Sequence, residues 1–323
     1  MLVISKEEVK SLLPVAEAIS CVGKAYSELS SGTAKVPDRL GIETEKGITL
    51  VMPGHLSVED ALAVKIVSVF PENQSKNKPA IYGAVTVLDP SDGRPLALIE
   101  GAYLTALRTG ASCGFATGLL AREDAKTLTM IGLGAQSRTI VPAVCAVRSI
   151  EKVYAYDPDG VVAESFETEM GGEVSVELVD QTGTAVSESD IVCTATTSQQ
   201  PVFDGAKLKA GTHVNGIGSF RPDMQEVDLE VIKRASKVVV DTISGAMSEA
   251  GDLIQAIDAG VFSEDEIHAE IGSIVSGEKV GRENDGEITF FKSVGNAALD
   301  IAVANEVLKR ALDRSVGTEV DLG

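Results

Sequence analysis

The sequence predicts an α/β fold in which a parallel sheet occupies the middle of the chain and an α+β part is built from both ends. Short apolar segments alternate with helical stretches from about residue 125 to about residue 295, which is typical of a parallel sheet with helices on both faces. A glycine-rich turn follows the first of these segments. The chain also has 323 residues, enough for two domains that each bury a core.

The N-terminal part is predicted to form two helices followed by a largely antiparallel sheet. Ser5-Lys6-Glu7-Glu8 has the pattern of a helix N-cap with acidic residues in the first turn. A second helix is predicted over residues 15–30, where apolar residues recur at helical spacing before Gly32. Segments rich in valine and isoleucine predict strands at residues 48–52, 61–70, 81–88 and 96–100. A helix of mostly small residues follows at 104–120.

The middle of the chain supplies the parallel sheet. Its strands are predicted at residues 128–131, 153–156, 174–178, 191–195, 213–217 and 238–241. A last helix, over residues 296–313, has an apolar stripe and is placed back on the first part. The expected domains are therefore residues 1–118 with 297–323, and residues 119–296.

The glycine turn has the order of residues that holds a dinucleotide. Bare backbone at Gly132 and Gly134 lets a pyrophosphate approach the N-terminus of the next helix, and Ser137 replaces the third glycine of the usual pattern. Asp157 ends the next strand about 20 residues later, where an acid receives the ribose hydroxyls. A carboxylate there repels the 2′-phosphate of NADP, and Asp159 adds to the repulsion. NAD is therefore the predicted cofactor, with NADP less favoured.

Three cations occur where the pattern predicts apolar residues. Lys65 interrupts an apolar strand, Arg108 lies on a helix of small and apolar residues, and Arg39 precedes the sheet. Each one alone could point out of an edge or pair with a distant carboxylate, because a buried cation needs an anion. All three beside a nucleotide domain favour a clamp on an anionic substrate. Burial beside two arginines is expected to lower the pKa of Lys65, which makes it the best candidate for proton transfer.

The composition disfavours several classes of partner. A net charge of −20 argues against nucleic acid, because a phosphate-binding face needs clustered lysine and arginine. The N-terminus lacks the features of a signal peptide, and no apolar segment approaches the ~20 residues of a membrane span. A cytoplasmic protein without membrane contact is expected. The scattered cysteines are expected to be reduced core thiols: Cys21, Cys113, Cys145 and Cys193.

The remaining polar candidates are assigned structural roles. No metal is expected, because the histidines share no ligand spacing: His55, His213 and His268. Asp300, on the last helix, is expected to cap or to pair structurally. Glu249 and Asp252, on either side of Gly251, are expected to be acids at a helix start.

Several segments taken together resemble the ornithine cyclodeaminase/mu-crystallin family, which includes an archaeal type of alanine dehydrogenase and several ketimine reductases. The resemblance covers nearly the whole chain. The matching segments are Met52-Pro53, Lys65-Ile66-Val67, Phe70-Pro71 with Asn73, Leu104-Thr105-Ala106-Leu107-Arg108-Thr109, Gly132-Leu133-Gly134-Ala135-Gln136-Ser137, Gly211-Thr212-His213-Val214-Asn215, Gly251-Asp252-Leu253 and Phe291-Lys292-Ser293-Val294-Gly295.

The resemblance implies a Rossmann-type NAD(P)-binding domain in the middle and an α+β substrate domain from both termini, which forms a homodimer through its sheet. The positions that it implies for the substrate are Arg39, Lys65 and Arg108 around the carboxylate, with Met52 and Val294 beside them. Those that it implies for the coenzyme are Gly132, Gly134, Ala135, Gln136, Ser137 and Asp157 at the pyrophosphate and ribose, and Thr196, Asn215, Ile217, Ser293 and Val294 at the nicotinamide.

Two departures separate this chain from the cyclising branch of the family. Enzymes that cyclise ornithine carry an Asp where this chain has Phe220, and a Glu where it has Leu50. Without both carboxylates, a second ammonium group of the substrate has no counter-charge. The expected function is hydride transfer between nicotinamide and C2 of a small 2-imino or 2-amino acid, as in alanine dehydrogenase or pyrroline-2-carboxylate reductase. The alternatives are an ornithine cyclodeaminase and a mu-crystallin-like nucleotide-binding protein with little turnover.

Overall fold

The computed structural model describes residues 1–76 and 78–322, and it divides into two compact units. Unit 1 comprises Met1–Arg108 with Asn296–Gly323, and unit 2 comprises Thr109–Gly295. The boundary between Arg108 and Thr109 falls inside the helix Gly101–Leu120. No helix in the described ranges is both long and apolar enough to cross a bilayer.

The helices and strands are numbered along the chain. The strands are β1 (Leu2–Ile4), β2 (Ala34–Lys35), β3 (Leu40–Thr44), β4 (Gly47–Leu56), β5 (Ala61–Val69), β6 (Ile81–Leu88), β7 (Pro95–Glu100), β8 (Thr127–Ile131), β9 (Lys152–Tyr156), β10 (Ser175–Leu178), β11 (Ile191–Thr194), β12 (His213–Gly216), β13 (Lys237–Val240), β14 (Ala269–Glu270), β15 (Thr289–Lys292) and β16 (Thr318–Glu319). The helices are α1 (Lys6–Leu12), α2 (Val15–Ser30), α3 (Gly101–Leu120), α4 (Ser137–Val147), α5 (Gly160–Met170), α6 (Thr182–Glu188), α7 (Leu229–Arg234), α8 (Ile243–Glu249), α9 (Gly251–Asp258), α10 (Ile271–Val275) and α11 (Ala297–Arg314).

Unit 1 is a sheet with helices on one of its faces. The strand order is β16-β1-β7-β6-β5-β4-β2, with β3 also on β4. Only the pair β1–β7 is parallel among the described pairings, so the predicted, largely antiparallel sheet is confirmed. Helix α1 begins with the predicted N-cap, because Ser5 and Glu8 bond each other's backbone N–H groups. The sequence did not predict β3, whose residues are all exposed and so lack an alternating buried face.

The two faces of this sheet differ in what covers them. Helix α11 packs on β4, β5 and β6, and it lies so close that a Cβ at Gly54 would be 2.7 Å from Ile301 Cδ1. The opposite face carries a row of apolar side chains that are direct neighbours across three strands, Leu40, Val51 and Ile66. Leu40 is 62% exposed and Ile66 is 46% exposed. We call this surface, which also includes Ile42 and Tyr82, the open face.

Unit 2 is a parallel sheet with helices on both faces. The strand order is β10-β9-β8-β11-β12-β15-β13-β14, and all neighbouring strands are parallel. Successive residues of β11 join different hydrophobic clusters, Val192 on one face and Cys193 on the other. The chain runs outward from β8 to β10 and then returns to the other side of β8 at β11. The predicted α/β fold, with its Rossmann-type order, is confirmed.

One sequence expectation for unit 2 is wrong, and one interior strand of its sheet was not predicted. Strand β15 was not predicted, because it is short and ends in the charged residue Lys292, so its sequence does not read as a buried apolar segment. Glu249 is the last residue of α8 rather than an acid at a helix start. Asp252 does lie in the first turn of α9, but it is fully buried, so more than the helix dipole acts on it.

Candidate active site

Unit 1 buries two of the predicted cations around one carboxylate. Lys65 Nζ lies 3.0 Å and Arg108 Nε lies 3.1 Å from the same oxygen, Asp300 Oδ1. Lys65 is 3% exposed, Arg108 8% and Asp300 0%. Two positive charges therefore face one negative charge in a dry setting. For Lys65 and Arg108, the structure therefore shows one of the alternatives left open by the sequence, which is pairing with a distant carboxylate. The three groups together carry an excess positive charge.

The strand register explains how Lys65 comes to face inward. Alternate residues of β5 are buried, so Lys65 points toward the α11 side while Ile66 points to the open face. Met52 is the cross-strand neighbour of Lys65 on β4, and Val85 is its neighbour on β6. Asp300 lies in the first turn of α11. A helix that packs across the middle of the sheet thus delivers the carboxylate to the lysine.

Burial lowers the pKa of Lys65 from its usual value to about 8. The largest cause is loss of hydration, which disfavours the charged amine. The charge of Asp300 opposes this shift, whereas the charges of Arg108 and Arg39 add to it. The lowering predicted from the sequence is confirmed. Arg39, which directly precedes β3, is therefore near enough to act on the amine electrostatically.

In unit 2, the glycine turn lies at the carboxyl end of β8. Gly132 has a positive φ of +88°, and a Cβ there would be 2.6 Å from the Ala195 carbonyl oxygen, so only glycine fits. The backbone N–H of Leu133 donates to Asp157 Oδ2 at 2.8 Å. Asp157, at the end of β9, thus holds the turn by Oδ2, while its Oδ1 accepts from the N–H of Asp159 at 3.0 Å. Each oxygen keeps a further lone pair for a hydroxyl donor.

The turn then opens onto the N-terminus of α4. A Cβ at Gly134 would meet nothing within 4 Å, so the space in front of this backbone admits a ligand. None of the described side chains caps the helix, whose N-cap position is Gln136, and its first N–H groups are available to an anion. Ser137 donates to the Gly134 carbonyl at 2.7 Å. These residues fit a dinucleotide pyrophosphate.

An arginine that was not predicted from the sequence to belong to the site fixes the same turn. Arg138 donates to the carbonyl of Leu133 at 2.5 Å and to that of Gly134 at 3.0 Å. Its Nε also donates to Glu169 Oε2 at 2.8 Å, which fixes the orientation of the guanidinium. The carbonyl groups of the turn are thereby engaged, which directs its N–H groups toward the opposite side.

A cleft of about 400 Å³ adjoins Asp157. Its walls come from the carboxyl ends of β9 and β10 and from the start of α5. The lining includes the carboxylates of Asp157, Glu164 and Asp180, and no lysine, arginine or histidine is among the described residues that line it. The cleft is therefore electronegative and suits an uncharged group such as a nucleoside.

A second turn at the carboxyl edge of the sheet is built around Asp241, which was also not predicted from the sequence to belong to the site. Asp241 directly follows β13, and its Oδ2 accepts from Ser293 Oγ at 2.9 Å, from the N–H of Val294 at 3.0 Å and from the N–H of Gly295 at 2.7 Å. The candidate residues Ser293 and Val294 are therefore fixed by a buried carboxylate at the end of the neighbouring strand.

A buried ionic network supports the same edge. Lys292 Nζ lies 2.8 Å from Asp252 Oδ2, and both side chains are fully buried. Asp252 Oδ1 accepts from the backbone N–H of Glu226 at 2.7 Å. Glu226 in turn accepts from the N–H groups of Thr196, Gly218 and Ser219. Burial raises the pKa of Glu226, and the charge of Lys292 counteracts that shift.

The network ties together loops that carry candidate residues. Thr196 follows β11, Ile217 follows β12, and Ser293 follows β15. The carboxyl ends of parallel strands share one edge of a sheet, so these positions lie on the same edge as the glycine turn. Asn215 lies within β12 and is fully buried, where its amide donates to Thr117 Oγ1 at 3.1 Å.

Comparisons with known proteins agree with this architecture. A model of the ornithine cyclodeaminase/mu-crystallin family matches residues 1–315. A Delta(1)-pyrroline-2-carboxylate reductase from Bacillus cereus is 44% identical over 325 residues, covering 99% of this chain and 100% of the relative.

Two solved structures are also similar over nearly their full lengths. One is Thermococcus litoralis Delta(1)-pyrroline-2-carboxylate reductase in complex with NADH and L-proline, with a TM-score of 0.96 and 43% identity, covering 99% of this chain and 100% of that one. The other is an archaeal alanine dehydrogenase dimer with bound NAD, with a TM-score of 0.93 and 35% identity, covering 100% of this chain and 99% of that one.

Proposed function

Because the chain belongs to the ornithine cyclodeaminase/mu-crystallin family, we propose that it is a nicotinamide-dependent reductase that transfers hydride between the coenzyme and C2 of a small 2-imino or 2-amino acid. The observation that carries this proposal is the buried cluster in unit 1. Lys65 and Arg108 share one carboxylate oxygen of Asp300, which leaves an excess positive charge. A buried excess charge is costly unless a ligand of opposite sign neutralises it.

A substrate carboxylate is such a ligand. The contact with Asp300 uses only Nε of Arg108 and one of the three N–H donors of Lys65. The terminal nitrogens of Arg108 and the other donors of Lys65 serve the substrate in this proposal, and Arg39 adds a third positive charge. Met52, the strand neighbour of Lys65, lies beside the bound acid. This arrangement fixes C2 for hydride transfer by orientation more than by chemical activation.

We assign the coenzyme to unit 2. Gly132, Gly134, Ala135, Gln136 and Ser137 hold the pyrophosphate at the start of α4, and Asp157 receives the ribose hydroxyls. The nicotinamide then belongs to the edge formed by Thr196, Asn215, Ile217, Ser293 and Val294. When bound, the reduced coenzyme supplies the hydride that forms the new C–H bond at C2.

The proton balance involves the substrate and Lys65. In the reducing direction, hydride adds to C2 of the protonated imine and the C=N electron pair moves to nitrogen, which yields a neutral amine. No proton is needed at C2. Where the imine arrives unprotonated, Lys65 is the group that supplies the proton, because a pKa of about 8 keeps it charged at neutral pH yet able to release that proton.

Among possible substrates, a cyclic imine of the pyrroline-2-carboxylate type ranks first. The relatives with 44% and 43% identity are both named for that substrate, and the second is in complex with L-proline. The alanine dehydrogenase is less similar, at 35% identity. NADH oxidation should be followed with pyrroline-2-carboxylate, with pyruvate plus ammonia, and with ornithine plus NAD. Turnover of the cyclic imine supports the proposal, whereas coenzyme binding without turnover of any of the three supports a binding protein.

The coenzyme is proposed to be NAD rather than NADP. Asp157 and two further carboxylates line the cleft that receives the adenosine ribose, so a 2′-phosphate would meet like charge. We expect kcat/KM to be at least about tenfold higher with NADH than with NADPH, and Asp157→Ser to reduce that ratio. The control is Asp124→Ser, which removes an equal charge before β8, at the opposite edge of the sheet. A wild-type preference for NADPH would refute the assignment.

We propose that the protein forms a homodimer through the open face of unit 1. This surface presents apolar side chains from β3, β5 and β6, including Ile42, Ile66 and Tyr82, each about half exposed. Contiguous apolar patches of this kind mark association surfaces. A second copy is the proposed occupant because the similar alanine dehydrogenase structure is described as a dimer.

A charge placed on the open face should prevent this association. We expect Ile66→Glu to elute as a monomer where the wild type is a dimer, because the glutamate would have to be buried without a partner. Leu312→Glu is the matched control, since Leu312 is 61% exposed but lies on α11. Size-exclusion chromatography with light scattering distinguishes the two states. An Ile66→Glu protein that remains dimeric would place the interface elsewhere.

A further inference from the structure

One oxygen of the carboxylate in the unit 1 cluster has no hydrogen-bond partner in the part of the chain that the structure describes. Asp300 Oδ1 receives both Lys65 and Arg108, while Oδ2 is buried and accepts no hydrogen bond from the described residues. Buried carboxylate oxygens are nearly always paired, since desolvating them without a donor is costly. Asp300 itself is fully buried, so bulk water does not supply the donor that Oδ2 lacks.

The position of this oxygen matches the charge pattern of the proposed substrate. A protonated 2-imino acid carries a negative carboxylate and a positive nitrogen separated by a single carbon, C2. The cluster likewise places a negative group within about 3 Å of two positive groups. A carboxylate bound to Lys65 and Arg108 would therefore bring the substrate nitrogen close to a group of opposite charge.

Resting on the proposed function, we propose that Asp300 Oδ2 accepts the N–H of the substrate, and that Asp300 thereby selects 2-imino and 2-amino acids over acids without a nitrogen donor at C2. Lys65 and Arg108 then recognise the carboxylate, which every 2-substituted acid shares. Asp300 recognises the nitrogen, which 2-oxo acids lack.

The assignment also gives Asp300 a part in the reaction. Its negative charge favours the protonated imine over the neutral one, and the protonated form is the more electrophilic at C2. Because Oδ1 remains bonded to both cations, the same carboxylate keeps the substrate-binding side chains in place while Oδ2 receives the ligand. Oδ1 of Asp300 therefore positions Lys65 and Arg108, and Oδ2 recognises the substrate.

The test compares two ligands that differ at one ring atom. L-proline has an N–H, and tetrahydrofuran-2-carboxylate has an ether oxygen that can only accept hydrogen bonds. With NADH present, we expect calorimetry to show that the wild type binds proline about ten- to hundredfold more tightly, because a charged hydrogen bond is involved. In Asp300→Asn the free position can carry an amide donor, and we expect the preference to be lost while binding of the ether is largely kept.

The control for a general loss of stability is Glu28→Gln. Glu28 is another buried carboxylate of unit 1, and it accepts from the N–H groups of Val58 and Glu59 away from the cluster. The Glu28→Gln variant should have a lower midpoint of thermal unfolding than the wild type and an unchanged preference for proline. If Asp300→Asn does not fold, the comparison on the wild type alone still decides, because equal affinity for the two ligands contradicts the proposal.

The outcomes separate this proposal from the proposed function. If Asp300→Asn weakens both ligands equally, Asp300 only positions Lys65 and Arg108, and this proposal is overturned while the function stands. If the wild type binds neither ligand in the presence of NADH, both are overturned. Loss of the preference for proline alone supports Asp300 as a substrate ligand.

Discussion

Arg108→Ala is expected to lower kcat/KM for the imino acid by roughly ten- to two-hundredfold, which corresponds to loss of about 1.5–3 kcal/mol from one charged hydrogen bond. The variant removes the terminal nitrogens proposed to bind the substrate carboxylate. Among the described residues, it also leaves Asp300 with Lys65 as its only cationic partner. The positive charge available to the substrate carboxylate is then reduced, so KM should rise along with the loss of turnover. Steady-state kinetics with NADH measure both quantities.

Two further variants test the interpretation of that result. Arg310→Ala removes another ion-paired arginine of unit 1, which contacts Glu17 and Glu306, and should leave kcat/KM unchanged. Lys65→Ala should be at least as impaired as Arg108→Ala, because it removes both a substrate donor and the proposed proton source. If Arg108→Ala and Lys65→Ala both kept kcat/KM within about twofold of the wild type, the carboxylate clamp would be wrong.

Lys292→Met is expected to destabilise the protein by about 3–5 kcal/mol, because it leaves Asp252 buried without its cation. Glu226, whose pKa burial already raises, would lose the charge that opposes that shift. For a chain of this size the midpoint of thermal unfolding should fall by roughly 10 °C. NADH affinity should fall as well, since Glu226 holds Thr196 and Lys292 precedes Ser293.

The pH dependence of that loss distinguishes a charge effect from a packing effect. A carboxyl whose pKa is raised by folding binds more protons in the folded state than in the unfolded state. The stability that it costs the folded protein therefore grows as pH rises above its usual pKa and shrinks as pH falls. Lys292→Met should therefore be less destabilised in mildly acidic buffer than at neutral pH. A loss that is the same at both pH values would indicate a packing defect instead.

A second substitution and a matched control complete this test. Adding Asp252→Asn to Lys292→Met removes the uncompensated charge and should restore part of the stability, so the two changes are not additive. Lys237→Met removes another nearly buried lysine, which pairs with Glu283 and Glu287. Lys237 is the first residue of β13 and so lies at the amino edge of the sheet, opposite the candidate site. That variant should leave NADH affinity unchanged.

Much of the fold could be predicted because its signals are local. The helix at Val15–Ser30 and the strand at Ile81–Leu88 were predicted with the bounds that the structure has, since apolar periodicity and turn residues mark their ends. The glycine turn and Asp157 were recognisable for the same reason, because the residues of a strand-turn-helix-strand unit follow one another in the chain. Edge strands such as β3 were missed because nothing buries one of their faces.

The ionic groups show where such prediction stops. Lys65 was noticed as a cation in an apolar strand, but its partner Asp300 lies 235 residues away, and a lone acid on an amphipathic helix resembles an ordinary surface residue. Lys292 could have been recognised in the same way as Lys65, since it is a cation that directly follows the apolar pair Phe290 and Phe291. Asp252, the partner of Lys292, could not have been recognised, because an acid in the first turn of a helix is already explained by its interaction with the helix dipole.

The open face of unit 1 has a thermodynamic consequence. If Leu40, Ile42 and Ile66 are shielded from water only by a second copy, part of the energy that maintains the native state belongs to a bimolecular equilibrium. The temperature at which the protein melts then depends on how dilute the sample is, and rises with each increase in subunit concentration. Measurements on variants are comparable only at a common concentration.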